Sequence, residues 1–299
     1  MTRIVHIVPE IDEANGVWRV ATFLAKEQDG AVVPAAAPAL AAAIADASEV
    51  WVHGAWLPRL WRASMLALRF GKRLVRMTHG SFSPIYLKRQ SPLRKRFVSP
   101  IERFFLRRAE RVVATCAAEA EWIRAYEPRI KRIEITDIKR FFDLSRVKTG
   151  NGERGTGNGE PLHLLYLGRR HPLKGLQYLE EVVRSAECVV RSAANNSKLE
   201  TLNFELKVVS SAFGAEKEAA FDWCDVLVLP TLSENFGLVV AEALEHGKRV
   251  ITTDGAPAWG DGNDYDGRLV YLRGFRDGSD AERVSLLKDA ICSLVACKP

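Results

Sequence analysis

The segment Asp225–Pro230 reads DVLVLP, apolar throughout after its first residue. A strand of that composition is buried on both faces, as in a parallel sheet covered by helices. Ile4–Pro9 (IVHIVP), Val50–His53 (VWVH), Leu74–Thr78 and Val112–Thr115 (VVAT) read as strands too. Helical patterns cover about Val17–Lys26 and Glu119–Arg124, and Ala31–Ala47 reads as a strand end plus a short helix. Strands alternating with helices predict an α/β chain with parallel sheets.

Residues 149–159, TGNGERGTGNG, hold five glycines in eleven positions and predict a flexible linker. Beyond it the alternation restarts. Leu162–Leu167, Glu205–Val209, Asp225–Pro230 and Arg249–Thr252 read as strands, and Leu176–Arg184 and Glu282–Leu294 as helices. The length of 299 residues suits two domains. The expected division is an N-terminal Rossmann-like domain over 1–148, a Gly-rich linker over 149–160 and a C-terminal Rossmann-like domain over 161–299. Two such halves facing across a cleft predict an enzyme whose ligands sit at the carboxyl ends of the strands.

Composition narrows the class. The chain is 47% hydrophobic and 27% charged, which excludes disordered, collagenous and disulfide-stapled classes. No apolar run reaches the ~18 residues of a membrane span. The opening MTRIVHIVPEID is expected to be a first strand and not a signal peptide. The five cysteines are scattered without a CxxC, which predicts free thiols and a cytoplasmic location.

The net charge of +6 is unevenly spread. Residues 1–150 hold 26 basic and 15 acidic residues, and residues 72–111 hold 12 Lys/Arg against Glu102 and Glu110. Within KRQSPLRKRF and RFFLRR the basic residues alternate with Phe97, Ile101, Phe104, Phe105 and Leu106. Such a stretch suits an anionic surface: a membrane, a nucleic acid or a phosphorylated acceptor. The other reading is a solvated basic helix packed on the core through its apolar face.

The densest motif is DVLVLPTLSENFGLVVAEALEHGKRVITTDGAP, residues 225–257. A strand ends at Pro230, a polar loop holds Ser233 to Gly237, and a helix then carries Glu242 about one turn inside. A helix start offers backbone N–H groups and a positive dipole end to an anion. Glu234 and Glu242, acceptor-only carboxylates, suit vicinal hydroxyls of a sugar and a ribose, or are plain surface charges. The run Gly168-Arg169-Arg170-His171-Pro172-Leu173-Lys174-Gly175 follows strand 162–167 directly. Arg169 and Lys174 there suit a diphosphate, or are solvated loop cations. Asp261-Gly262-Asn263-Asp264 reads as a turn and no metal site is expected.

Together these segments resemble the nucleotide-sugar half of the family-four retaining glycosyltransferases, of the GT-B fold. Arg169 and Lys174 match the family's GR…KG pair, Glu234 and Glu242 its E-x7-E motif, and TDGAP at 253–257 its T-x-G-x-P. The resemblance implies that Arg169 and Lys174 neutralise the donor diphosphate as the glycosidic bond breaks. It implies that Glu242 holds the ribose and Glu234 the transferred sugar, aided by the backbone of Asn235, Phe236 and Gly237. Asn15-Gly16-Val17 resembles the Gly-rich loop after the first strand, where Gly16 lets backbone approach the diphosphate. His79, in MTHGSFSP, resembles the histidine facing the donor sugar, with a structural histidine as the other reading. This chain departs from the family in having one glycine in that first loop, a compressed segment before Asp225 and a short final region.

The resemblance thus implies a retaining hexosyltransferase, metal-independent, using a nucleotide-sugar with UDP favoured over GDP. The region of HGSFSP and the basic helix after it looks like that of lipopolysaccharide-core and other cell-envelope glycosyltransferases. The expected acceptor is an anionic glycan or glycolipid at the inner leaflet. Lys88, Arg89, Arg94, Lys95 and Arg96 are the candidate residues for acceptor or membrane contact, which makes the enzyme peripheral on the cytoplasmic face. No nucleic acid is expected. A non-catalytic nucleic-acid- or membrane-binding protein using 72–111 and a different GT-B enzyme such as a sugar epimerase are the competing readings.

Overall fold

The computed structural model describes residues 3–12, 15–145, 161–192, 204–210 and 212–296. The Gly-rich segment 149–160 lies outside them. The chain divides into two compact units, Met1–Phe141 and Phe142–Pro299.

In the first unit the chain runs β1 (Ile4–Val8), α1 (Gly16–Glu27), β2 (Ala31–Pro34), α2 (Leu40–Asp46), β3 (Glu49–His53) and α3 (Pro58–Arg69). It continues through β4 (Arg73–Met77), α4 (Pro84–Arg89), α5 (Pro92–Phe97), α6 (Ser99–Arg108), β5 (Arg111–Ala114), α7 (Ala117–Tyr126) and β6 (Ile133–Ile135). The six strands form one sheet in the order β2-β1-β3-β4-β5-β6, every pair parallel. All five residues of β3 are buried, as the apolar VWVH run predicts for a strand covered on both faces. Helix α1 turns Val20, Ala21, Leu24 and Ala25 inward, an i, i+1, i+4, i+5 stripe, and Asn15 caps it by accepting from Val17 N–H at 2.9 Å.

The second unit runs β7 (Leu162–Leu167), α8 (Leu176–Ser192), β8 (Phe204–Val209), α9 (Ala215–Trp223), β9 (Val226–Leu229), α10 (Leu238–Glu245), β10 (Arg249–Thr253), β11 (Leu269–Leu272) and α11 (Asp280–Ala296). Its sheet order is β11-β10-β9-β7-β8, again all parallel. Its core gathers Leu164, Tyr166, Val226, Val228 and Ile251 from the strands with Leu179 of α8 and Leu287 and Ile291 of α11.

The sheet orders place the sites. In the second unit the chain leaves β7 for β8 on one side, then crosses to β9 on the other. The crevice of such a sheet lies outside the carboxyl ends of the two strands where the order reverses, here β7 and β9. The same argument selects β1 and β3 in the first unit.

The basic helix expected after HGSFSP is three short helices, α4, α5 and α6. Pro92 and Pro100 restart the chain twice, because a proline lacks a donor and disfavours helix in the residue before it. Its apolar residues divide: Phe105 and Leu106 are buried, while Leu93, Phe97, Ile101 and Phe104 are exposed. The short edge strands β6 and β11 and the helices α3 and α9 have no counterpart among the elements expected from sequence. Asp261–Asp264 is a turn, with Asp261 accepting from Asn263 N–H at 3.2 Å and Asn263 from Tyr265 N–H at 2.9 Å. Cys116, Cys224 and Cys292 are free thiols. Among the described residues no helix is long and apolar enough to cross a membrane.

Candidate active site

In the second unit, two loops meet at the crevice. The loop leaving β7 carries Arg169 and Lys174; the loop leaving β9 carries Glu234. Backbone ties the two together. The Leu173 carbonyl accepts from Leu232 N–H at 2.8 Å and from the Thr231 hydroxyl at 3.1 Å. The contact is close enough to demand glycine next: Gly175 has φ +72°, and a Cβ there would lie 1.7 Å from the Pro230 carbonyl oxygen. The result brings Lys174 Nζ onto Glu234 Oε2, an ion pair with both side chains mostly buried.

The TDGAP segment supports that pair from the other side. The Thr253 hydroxyl donates to the Thr231 carbonyl, and Gly255 N–H donates to Thr253 Oγ1 at 3.1 Å. The Gly255 carbonyl accepts from Glu234 N–H at 2.8 Å. A Cβ on Gly255 would stand 2.0 Å from Thr231 O, so the approach that fixes Glu234 excludes any side chain. Asn235 N–H donates to Glu234 Oε1 at 3.2 Å, so that amide serves the carboxylate itself. Phe236 is buried against Trp259, their ring centres 5.3 Å apart, and Trp259 Nε1 donates to the Phe236 carbonyl at 2.5 Å. Gly237 is the N-cap of α10. Tyr166, buried beneath the β7 loop, donates to the Arg169 carbonyl at 3.1 Å. Burial, then the negative charge of Glu234, push its phenol up to about 12. Arg169 itself extends an exposed side chain.

Glu242 is buried on α10, and its carboxylate meets Lys217 Nζ of α9 at 2.5 Å. Lys217 carries no signal in the sequence, where its segment reads only as compressed. Thr231 and Trp259 carry none either; each acts through a backbone carbonyl, which leaves no motif.

In the first unit, Gly16 opens α1 behind the Asn15 cap. His79, with φ +50°, and Gly80, with φ +72°, form a left-handed turn after β4. Glu119 of α7 holds the turn, accepting from Gly80 N–H at 2.6 Å, the Thr78 hydroxyl at 2.9 Å, and Thr115 N–H and hydroxyl at 2.8 Å each. His79 ends a row of three imidazoles. Its Nε2 meets His53 Nδ1 at 3.0 Å, His53 Nε2 meets His6 Nδ1 at 2.9 Å, and His6 Nε2 meets Gln28 Oε1 at 3.2 Å. Burial lowers His6 and His79 to about 4, and burial with the two neighbouring imidazoles lowers His53 well below its ordinary value, so all three rings are neutral at pH 7. His6, His53 and Gln28 come from separate elements, so no local pattern joins them.

Of the basic candidates, Lys88, Arg89 and Arg96 are exposed; the side chains of Arg94 and Lys95 lie outside the described ones. The Arg96 guanidinium sits 5.8 Å from the Phe97 ring centre.

Two family models match the chain: a glycosyl transferase 4-like domain over residues 8–136 and a glycosyl transferases group 1 domain over 161–272. Together they cover most of it. The chain belongs to the family-four glycosyltransferases. Its two parallel-sheet units are those of the GT-B fold. Among solved structures, this family-four chain is similar to Anabaena HepE in complex with UDP and glucose, at 13% identity and a TM-score of 0.62, covering 98% of this chain and 90% of that one. It is similar to sucrose-phosphate synthase from Thermosynechococcus elongatus at 14% identity and a TM-score of 0.63, covering 99% and 90%. Among characterised proteins it is 29% identical over 171 residues to D-inositol 3-phosphate glycosyltransferase of Pseudarthrobacter chlorophenolicus. That match spans 48% of this chain and 40% of the relative, less than half the relative's length.

Proposed function

We propose that the protein transfers a hexose from a UDP-sugar to an anionic glycan or glycolipid of the cell envelope, with retention at the anomeric carbon. The observation that carries this reading is the Lys174–Glu234 pair, fixed by two stitched loops at the switch point of the second sheet. A diphosphate entering there meets Lys174 and Arg169, and the developing charge on the leaving group is met by cations already in place, so no metal is needed. Glu234 and Glu242 hold hydroxyls of the transferred sugar and of the ribose. In the first unit the same reading gives Gly16 and His79 the roles that the family resemblance implies for them. UDP as the base is supported by the fold neighbour solved with UDP and glucose.

The membrane part of the reading rests on α4–α6. Leu93, Phe97, Ile101 and Phe104 are exposed beside Lys88, Arg89 and Arg96. Apolar side chains among cations suit an anionic interface, at about 1 kcal/mol per basic residue. Neutralising Arg94, Lys95 and Arg96 should lower sedimentation with anionic vesicles; unchanged sedimentation would remove this part of the reading.

The decisive experiment is thermal stabilisation by UDP, GDP and ADP, each with and without EDTA, in the wild type and Glu242→Ala. A nucleotide at a hundredfold its Kd adds about 2.7 kcal/mol. A shift with UDP, insensitive to EDTA and lost in Glu242→Ala, is the expected result. No shift with any nucleotide refutes the donor site.

A further inference from the structure

Helices α4 and α6 and the end of α7 line an open pocket of about 480 Å³ within the first unit. Leu87, Gln90, Ser99, Arg103, Arg107 and Tyr126 line it. Its polar groups are unevenly matched. Ser99 and Tyr126 hydroxyls bond each other. Arg103 lies over the Tyr126 ring, 4.3 Å from its centre, which fixes the guanidinium. Arg103 and Arg107 both reach Glu127 Oε2, at 3.4 and 2.7 Å, and Arg129 takes Oε1 at 3.2 Å. One buried carboxylate thus faces three guanidiniums. The Arg107 hydrogen bond, with the further bonds from Arg129, holds the Glu127 carboxyl down at about 2, so it stays charged and the cluster keeps a surplus of two positive charges.

Gln90 adds the second observation. It is 9% exposed, and its Nε2 is a buried donor with no hydrogen-bond partner in the structure; Arg107 Nε is another. Nearly all buried donors in folded proteins are paired with protein, ordered water or a ligand, so these two N–H groups are open to an acceptor that enters the pocket. A pocket with surplus positive charge and unpaired N–H donors suits an oxyanion. The volume is that of a small-molecule pocket and larger than one phosphate.

We propose that this pocket recognises a phosphate monoester, carried on a free sugar or as the headgroup of a lipid. As the place where an acceptor's phosphate is held it rests on the glycosyl-transfer reading. The binding itself needs no donor and is tested without one.

The test is calorimetric titration of the full chain with inorganic phosphate, glucose 6-phosphate and glucose, and sedimentation with phosphatidylcholine vesicles with and without phosphatidic acid. The variants are Gln90→Glu, Arg103→Gln and Gln90→Met. Glucose 6-phosphate should bind and glucose should not, with affinity at least tenfold lower in Gln90→Glu and Arg103→Gln. Binding confined to phosphatidic acid vesicles, weakened by the same variants, identifies the lipid headgroup as the source. Gln90→Met removes the unpaired amide at similar size; it should fold with an unchanged melting temperature and still lose affinity. Stabilisation by UDP should be the same in all four proteins, which separates failure of this site from failure of the donor site. Absence of phosphate-dependent binding in both arms, or equal binding by wild type and variants, overturns the proposal.

Discussion

His53 Nδ1 lies 3.0 Å from His79 Nε2, and through that bond a ring buried in the first sheet fixes the histidine in the turn after β4. With Gln28 Oε1 accepting from His6 Nε2, each ring in the row donates through Nε2 and accepts through Nδ1. His79 is then left with Nδ1 as its acceptor. Protonating His6 or His53 sets two donors against each other, so the row favours neutrality at those two rings.

Stability should therefore depend on pH in a defined window. The folded histidines titrate below their unfolded value of 6.5, with His6 and His79 at about 4. Between about pH 6.5 and 4 the unfolded chain binds more protons, so stability is full above 6.5 and falls as pH drops through the window. The shift on His6 alone corresponds to about 3 kcal/mol. Glu127, lowered from 4.5 to about 2, begins to lose its share near pH 4.5 and so overlaps only the acid end of this window. Calorimetric melting from pH 7.5 to 4 should show the decline, with a shallower slope in His53→Gln. A wild-type profile flat above pH 4.5 would count against the row.

Glu119 receives four hydrogen bonds around the His79-Gly80 turn. Glu119→Gln replaces one acceptor oxygen by a donor and leaves either Gly80 N–H or Thr115 N–H facing it unmatched. The expected loss is about 2–4 kcal/mol in urea unfolding. Transfer activity should fall while the UDP melting shift persists. Equal loss of both would mean the turn only supports the fold.

Much of this architecture is legible in the chain itself. Strands such as DVLVLP and VWVH are apolar enough to be placed without a structure, and GRRHPLKG and SENFGLVVAE keep their chemistry within a few residues. The edge strands β6 and β11 are not legible: they are short and half-buried, so they carry neither a continuous apolar run nor a long alternation. The Lys217–Glu242 and His6–His53–His79 contacts join residues 25 to 47 positions apart, and only the sheet order brings such groups together. The basic segment shows its charge in the sequence but not its division into three helices, because its periodicity masks what its prolines do to the backbone.

Gly175 tests the stitching of the two loops. Gly175→Ala forces a left-handed φ of +72° on a residue with a Cβ and drives that atom into the Pro230 carbonyl. Gly71, at φ +65°, faces open space, so Gly71→Ala carries the backbone strain alone, about 1 kcal/mol. Gly175→Ala should cost more than about 2 kcal/mol and abolish UDP stabilisation. Equal costs in the two variants would mean the loops separate freely.

The Lys174–Glu234 pair makes a prediction of opposite signs. Lys174→Met leaves Glu234 as an unpaired carboxylate beside the diphosphate, so UDP should bind about tenfold more weakly and turnover should fall about a hundredfold. Glu234→Gln removes the partner that Lys174 holds in the free protein, so UDP should bind as well as in the wild type or more tightly. Turnover should still fall, because the sugar hydroxyls lose one of two charged acceptor oxygens and meet an amide donor in its place. The two variants are compared by UDP titration and by release of UDP from UDP-sugar in the presence of acceptor. If Glu234→Gln weakened UDP as much as Lys174→Met does, the carboxylate would be a structural anchor for the lysine and not a group that the diphosphate displaces.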